Sequence, residues 1–160
     1  MKRAPVSLIA LAALAAGGCP KPDQFETDVP VNVKEGGGLR VHVRLPGRYF
    51  RTGETIRVSL TATNTTGKPV QIHSPTGAPV LVRITRRSLM GLEQVRVYPT
   101  SATSNILSWT LPAGESRPFD LIVPVEPDWP VNEILFISAE LNGYSQIAPA
   151  VYVMVRPPKE

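Results

Sequence analysis

The chain has 160 residues, with 17 Lys+Arg against 13 Asp+Glu and a formal charge of +4. That length suits one domain with a real core, and a charged fraction of 19% is too low for a disordered or coiled-coil chain. A single Cys excludes an internal disulfide framework and a multi-cysteine zinc site, two His leave little for metal or acid–base chemistry, and 17 Pro argue against a helical protein.

Met1-Lys2-Arg3 opens the chain with positive charge. Ala4 to Ala16 is apolar apart from Pro5 and Ser7, and Gly17-Gly18-Cys19 follows. This is the order of a signal peptide: charged start, apolar run, small residues at the cleavage site. The run is shorter than the roughly 20 residues that span a bilayer. An ordinary signal peptide with a chance Cys, or a buried helix, would give the same hydropathy. The only Cys of the chain falls where a lipid-attachment Cys would stand.

Leu14-Ala15-Ala16-Gly17-Gly18-Cys19 resembles the lipobox of bacterial lipoproteins, with Ala16 where that family usually carries Leu. The resemblance implies cleavage between Gly18 and Cys19, diacylglycerol on the Cys19 thiol and, in many bacteria, acylation of the new N-terminus. Several acyl chains anchor stably where one is marginal. Pro20 rather than Asp after Cys19 implies delivery to the outer membrane, facing the periplasm. Cleavage also removes Lys2 and Arg3, so the formal charge falls by two and part of the sequence pI of 9.5 belongs to the signal peptide. A domain so close to neutral gives no reason to expect nucleic-acid binding.

Residues 19–38 read as the lipidated N-terminus and a flexible tether, polar and ending in Gly36-Gly37-Gly38. Val29, Val31 and Val33 repeat with period two, so an edge strand is the other reading of that stretch.

From Leu39 the period is two throughout, and residues 39–160 form the expected domain. Leu39–Leu45 is followed by Pro46-Gly47, Ile56–Ala62 by Asn64–Lys68, and Val70–Ile72 by Pro75-Thr76-Gly77. Val80–Ile84 precedes a turn at Ser88–Gly91, and Val95 and Val97 come next. Ile106–Leu111 carries Trp109, Pro112–Glu115 turns, and Phe119–Val123 alternates again. Ile134–Leu141 is nearly all apolar and should be central; Asn142-Gly143 turns, and Val151–Val155 closes the chain. Eight or nine short strands without crossover helices predict an all-β fold, an immunoglobulin-like antiparallel β-sandwich. A small barrel is the other closure. Trp109 and the 134–141 strand are the expected anchors of the core.

Residues 57–143 resemble the BsuPI-type intracellular proteinase inhibitor domain and its secreted relatives. The likeness lies in Val58–Val70 as a strand-turn-strand opening through Asn64-Thr65-Thr66-Gly67-Lys68-Pro69, in Leu111-Pro112-Ala113-Gly114-Glu115-Ser116 as a turn, and in Ile137–Leu141 as a closing strand. Val95–Pro99 stands where the family has an aromatic-rich stretch, and Pro130–Glu133 stands before its last strand. The resemblance implies the fold and a proteinase-inhibitor activity, and it transfers no site residue.

Few constellations could carry chemistry. His42, between Arg40 and Arg44, belongs to a solvated face that guards an edge or to a basic stripe for an acidic partner. Arg83, Arg86 and Arg87 form a second basic group with the same two readings. His73 has no G-x-S-x-G and no obvious acid to make a triad. No catalytic residue, metal ligand or cofactor is therefore expected. Glu126-Pro127-Asp128-Trp129-Pro130 is the most unusual segment. It either presents Trp129, with Glu126 and Asp128, to a partner, or uses Trp129 to plug one end of the core. Together these features predict a non-enzymatic envelope lipoprotein that meets the membrane through Cys19 and binds another envelope protein or a protease.

Overall fold

The computed structural model describes residues 29–159. Cys19, the cleavage site and the 20–28 part of the expected tether lie outside the described residues. The described residues form eleven strands: β1 (Val31–Gly36), β2 (Leu39–Arg44), β3 (Tyr49–Arg51), β4 (Thr55–Asn64), β5 (Val70–Ser74), β6 (Val80–Ser88), β7 (Gly91–Tyr98), β8 (Leu107–Leu111), β9 (Ser116–Pro124), β10 (Ile134–Leu141) and β11 (Ala150–Arg156). A four-stranded sheet runs β1-β2-β4-β9, a five-stranded sheet runs β3-β11-β10-β6-β7, and β5 pairs with β8 apart from both. All pairs are antiparallel except β3 with β11. The fold is the expected all-β, sandwich-like one.

Alternation decides which side chains go inside. Val41, Val43, Ile56, Val58, Leu60 and Val123 of the first sheet are buried against Val82, Ile84, Leu135, Ile137, Val153 and Val155 of the second. A strand half-buried on one face must carry its apolar residues at every second position, and these do. β10 lies in the middle of its sheet, as its apolar run predicts.

Three expectations change. The domain begins before Leu39, because β1 pairs with β2 along its whole length, Val31 opposite Arg44 and Gly36 opposite Leu39. The Gly-rich 36–38 stretch expected to end a tether is the hairpin turn, with Gly37 and Gly38 at positive φ. Yet Val31 and Val33 stay 49% and 44% exposed. The backbone ladder holds β1, together with Asn32, whose Nδ2 donates to the Ala150 carbonyl at 2.6 Å. Second, β3 is a strand where hydropathy predicts none: three residues between two turns carry no readable period. Third, Trp109 is not a core anchor. It lies half-buried at the margin against Phe119, ring centroids 5.7 Å apart, with the Arg117 guanidinium 4.6 Å from its centroid.

Candidate functional site

Trp129 is buried, 2% exposed, and packs on Tyr98 with ring centroids 6.4 Å apart. A side chain so enclosed cannot anchor a partner, so of the two readings of this segment the plug is the observed one. Glu126 and Asp128 are also engaged within the chain. Arg96 pairs with Glu126 at 2.8 Å and with Asp128 at 2.5 Å. The Tyr98 hydroxyl donates to Glu126 Oε1 at 2.7 Å. Burial pushes the Tyr98 phenol up to about 12, and its bond to the Glu126 carboxylate and the charge there add to the effect. The neighbouring Arg96 works the other way. The segment locks the β9–β10 connection onto β7.

The other sequence candidates separate. His42 faces outward with Arg40 and Arg44, and Arg40 pairs with Glu35 of β1. His73 Nδ1 meets Ser108 Oγ at 2.9 Å across β5 and β8 on an exposed face. No carboxylate is bonded to His73 among the described residues. Arg86 pairs with Glu93 at 3.0 Å on the β6–β7 hairpin. Among the described residues no group of three His, Cys, Asp or Glu could hold a metal ion, and no helix is long and apolar enough to cross a membrane.

The outer face of the five-stranded sheet holds a feature that sequence reasoning missed. A groove of about 630 Å³ runs over β7, β6, β10 and the start of β11, lined by Leu92, Thr85, Phe136, Ser138 and Ala150 among others. Arg83 and Glu140 stand in it as an ion pair at 3.0 Å. Glu140 is 3% exposed, although it lies on the outward phase of β10. An acidic residue inside an otherwise apolar strand was the available signal. Its partner, 57 residues earlier, was not readable.

Beside the groove, β7 is a free edge. The other outer edges of the two larger sheets are protected. β9 contains Pro118 and Pro124, β3 has three residues, and the flank of β1 lies against Ala150 through Asn32 and against Ile147 at Gly36. β7 has eight residues without Pro, and Gly91–Gln94 are all exposed. At the tip of its hairpin with β6, Leu89 and Met90 are fully exposed. Ser88 holds that turn: its hydroxyl donates to the Gly91 carbonyl at 3.2 Å and accepts from the Met90 N–H at 3.3 Å.

No known protein family matches the chain, and no curated protein matches it in sequence. Solved structures resemble it in fold. The Pseudomonas fluorescens alkylpurine DNA glycosylase AlkC, bound to DNA containing an abasic site analog, is similar over 76% of this chain and 31% of its own, with TM-score 0.51 and 16% identity. A Listeria innocua β-glucosidase is similar over 75% of this chain and 16% of its own, with TM-score 0.47 and 14% identity. The Bacillus subtilis sporulation control protein Spo0M is similar over 76% of this chain and 50% of its own, with TM-score 0.46 and 13% identity. This chain thus spans half or less of each of these three proteins. At such identities the first likeness supports the β fold alone, and the other two carry no argument.

Proposed function

We propose that this protein is a non-enzymatic envelope lipoprotein, held by lipid on Cys19 in the outer membrane and facing the periplasm. Its sandwich binds another envelope protein by strand addition to β7. The observation that carries this reading is the unprotected β7 edge beside the groove lined by Leu92, Phe136 and the Arg83–Glu140 pair. An open edge offers unpaired backbone N–H and C=O groups to an extended segment. The adjoining groove offers apolar and charged contacts that would select its side chains.

A photo-crosslinker at Gln94, compared with one at Thr65 in the β4–β5 loop, tests this in cells. The expected result is one discrete adduct from Gln94 and none from Thr65. Charging the edge with Leu92→Lys, with the crosslinker kept at position 94, should abolish the adduct while the melting temperature holds. Titration of the lipid-free domain against serine, cysteine and metallo-proteases identifies the partner class. Stoichiometric inhibition would make the partner a protease, as the BsuPI resemblance implies, whereas unchanged activity leaves the envelope binding module. Incorporation of an alkynyl fatty acid into the wild type, and not into Cys19→Ser, checks the anchor.

A further inference from the structure

We infer that the end of the sandwich carrying the β6–β7 hairpin tip docks on an anionic bilayer surface, with Leu89 and Met90 entering the headgroup boundary. The direction of docking rests on the lipid anchor at Cys19; the chemistry of the surface does not. Strand register places the two features at one end. Pro30 accepts from the Leu45 N–H at 3.1 Å, and the chain crosses from Leu45 to Tyr49, which pairs with Met154. Met154 pairs with Ile134, and the next residue, Leu135, pairs with Arg86, just before the tip. The chain therefore enters the domain at the same end at which Leu89 and Met90 project. Ten peptide steps separate Cys19 from Val29, so the lipid cannot lie more than about 35 Å from that entry point, whatever path the chain takes. A lipid at Cys19 keeps this end within that reach of the bilayer.

The composition of this end fits that neighbour. Val29, Leu89, Met90, Val131 and Ile134 are exposed large apolar residues there. Arg44 and Arg87 are exposed and make no ion pair among the described residues. An open cleft of about 740 Å³ at this end is lined by Arg48, Arg156 and Tyr49, with Glu54 as its one carboxylate, and Glu54 accepts from the Arg51 N–H at 2.8 Å. Of the other acids at this end, Glu93 is paired with Arg86, Glu126 and Asp128 are paired with Arg96, and Glu133 lies near Arg86. Apolar tips flanked by Arg are the elements that lie in a headgroup region and attract anionic lipid. The opposite end is built from polar turns. Asn64 Nδ2 donates to the Lys68 and Leu111 carbonyls, and Asn142 Nδ2 donates to the Ala78 carbonyl.

The test uses residues 20–160, which contain every described strand and the whole core. The fragment carries an N-terminal histidine tag and one introduced Cys, Met90→Cys or Thr65→Cys, bearing a polarity-sensitive fluorophore. It is captured on nickel-chelating phosphatidylcholine vesicles with or without phosphatidylglycerol. The expected result is blue-shifted, brighter emission at position 90, stronger with phosphatidylglycerol, and none at position 65. In untagged fragment, Leu89→Asp with Arg87→Glu should weaken vesicle binding by more than about tenfold. Emission at position 90 that stays polar on captured vesicles overturns the proposal and leaves the tip as a protein contact. Equal change at both positions overturns it too. Nickel capture replaces the acyl anchor, so loss of fatty-acid labelling at Cys19 would refute the anchor alone.

Discussion

Tyr98 joins Trp129, Glu126 and Arg96 in one cluster, and its titration should be visible in stability. Its phenol keeps its proton to about 12 in the folded state against 10.0 ordinarily. A raised folded value favours folding fully below the ordinary value, and that contribution is lost as pH rises from about 10 to about 12. Melting temperature should therefore fall across that window in the wild type, and Tyr98→Phe should flatten the fall. Trp129→Ala removes the plug beside it and should cost about 3–5 kcal/mol, read by denaturant unfolding. Arg83→Ala leaves the Glu140 carboxylate enclosed without its cation. Because the Arg83 side chain is 36% exposed and water can partly replace it, the expected loss is about 1–3 kcal/mol, with Glu140→Gln in the same background recovering part of it.

Strands with inward apolar residues at alternate positions are legible from hydropathy alone: β2, β4, β6, β9 and β11 all stand where alternation puts them. The turn at Ser88–Gly91 is legible too, but its consequence, two apolar side chains projecting with nothing over them, is not. β1 is ambiguous for a physical reason. Its valines are on the outward phase, and what ties it down is a ladder and one amide, neither of which leaves a hydropathy signal. Asn32→Ala should accordingly raise amide exchange in β1 by about tenfold while leaving β10 protected. Trp109 and Trp129 look alike in sequence. Only the packing of the β9–β10 connection onto β7 shows that the second is the core residue. The groove depends on pairs such as Arg83 with Glu140 that adjoining strands bring together, so the sequence offers Arg83 as part of a basic group and nothing more.

At the scale of the molecule, the two ends of the sandwich differ in chemistry. One is closed by asparagine-centred turns; the other gathers arginines and bare apolar side chains around the point of chain entry. Gly143 belongs to the polar end, with φ of +97° and a Cβ position 3.0 Å from the His73 carbonyl. Gly143→Ala should destabilise the domain by about 1–3 kcal/mol in thermal unfolding without altering vesicle binding. The pairing of β3 with β11 has a further consequence, for the order in which the chain acquires its structure. Among the described residues, Tyr49–Arg51 finds its only ladder partner in Met154–Arg156. Asn32 likewise bonds to Ala150, at the start of the same strand. Contacts between the earliest and latest parts of the domain form slowly, because a long loop must close first. A nascent chain therefore lacks the last piece of its sandwich until residues 150–156 are made. A chain stopped at Pro149 should remain protease-sensitive, and adding residues 150–160 as a separate peptide should restore its protection.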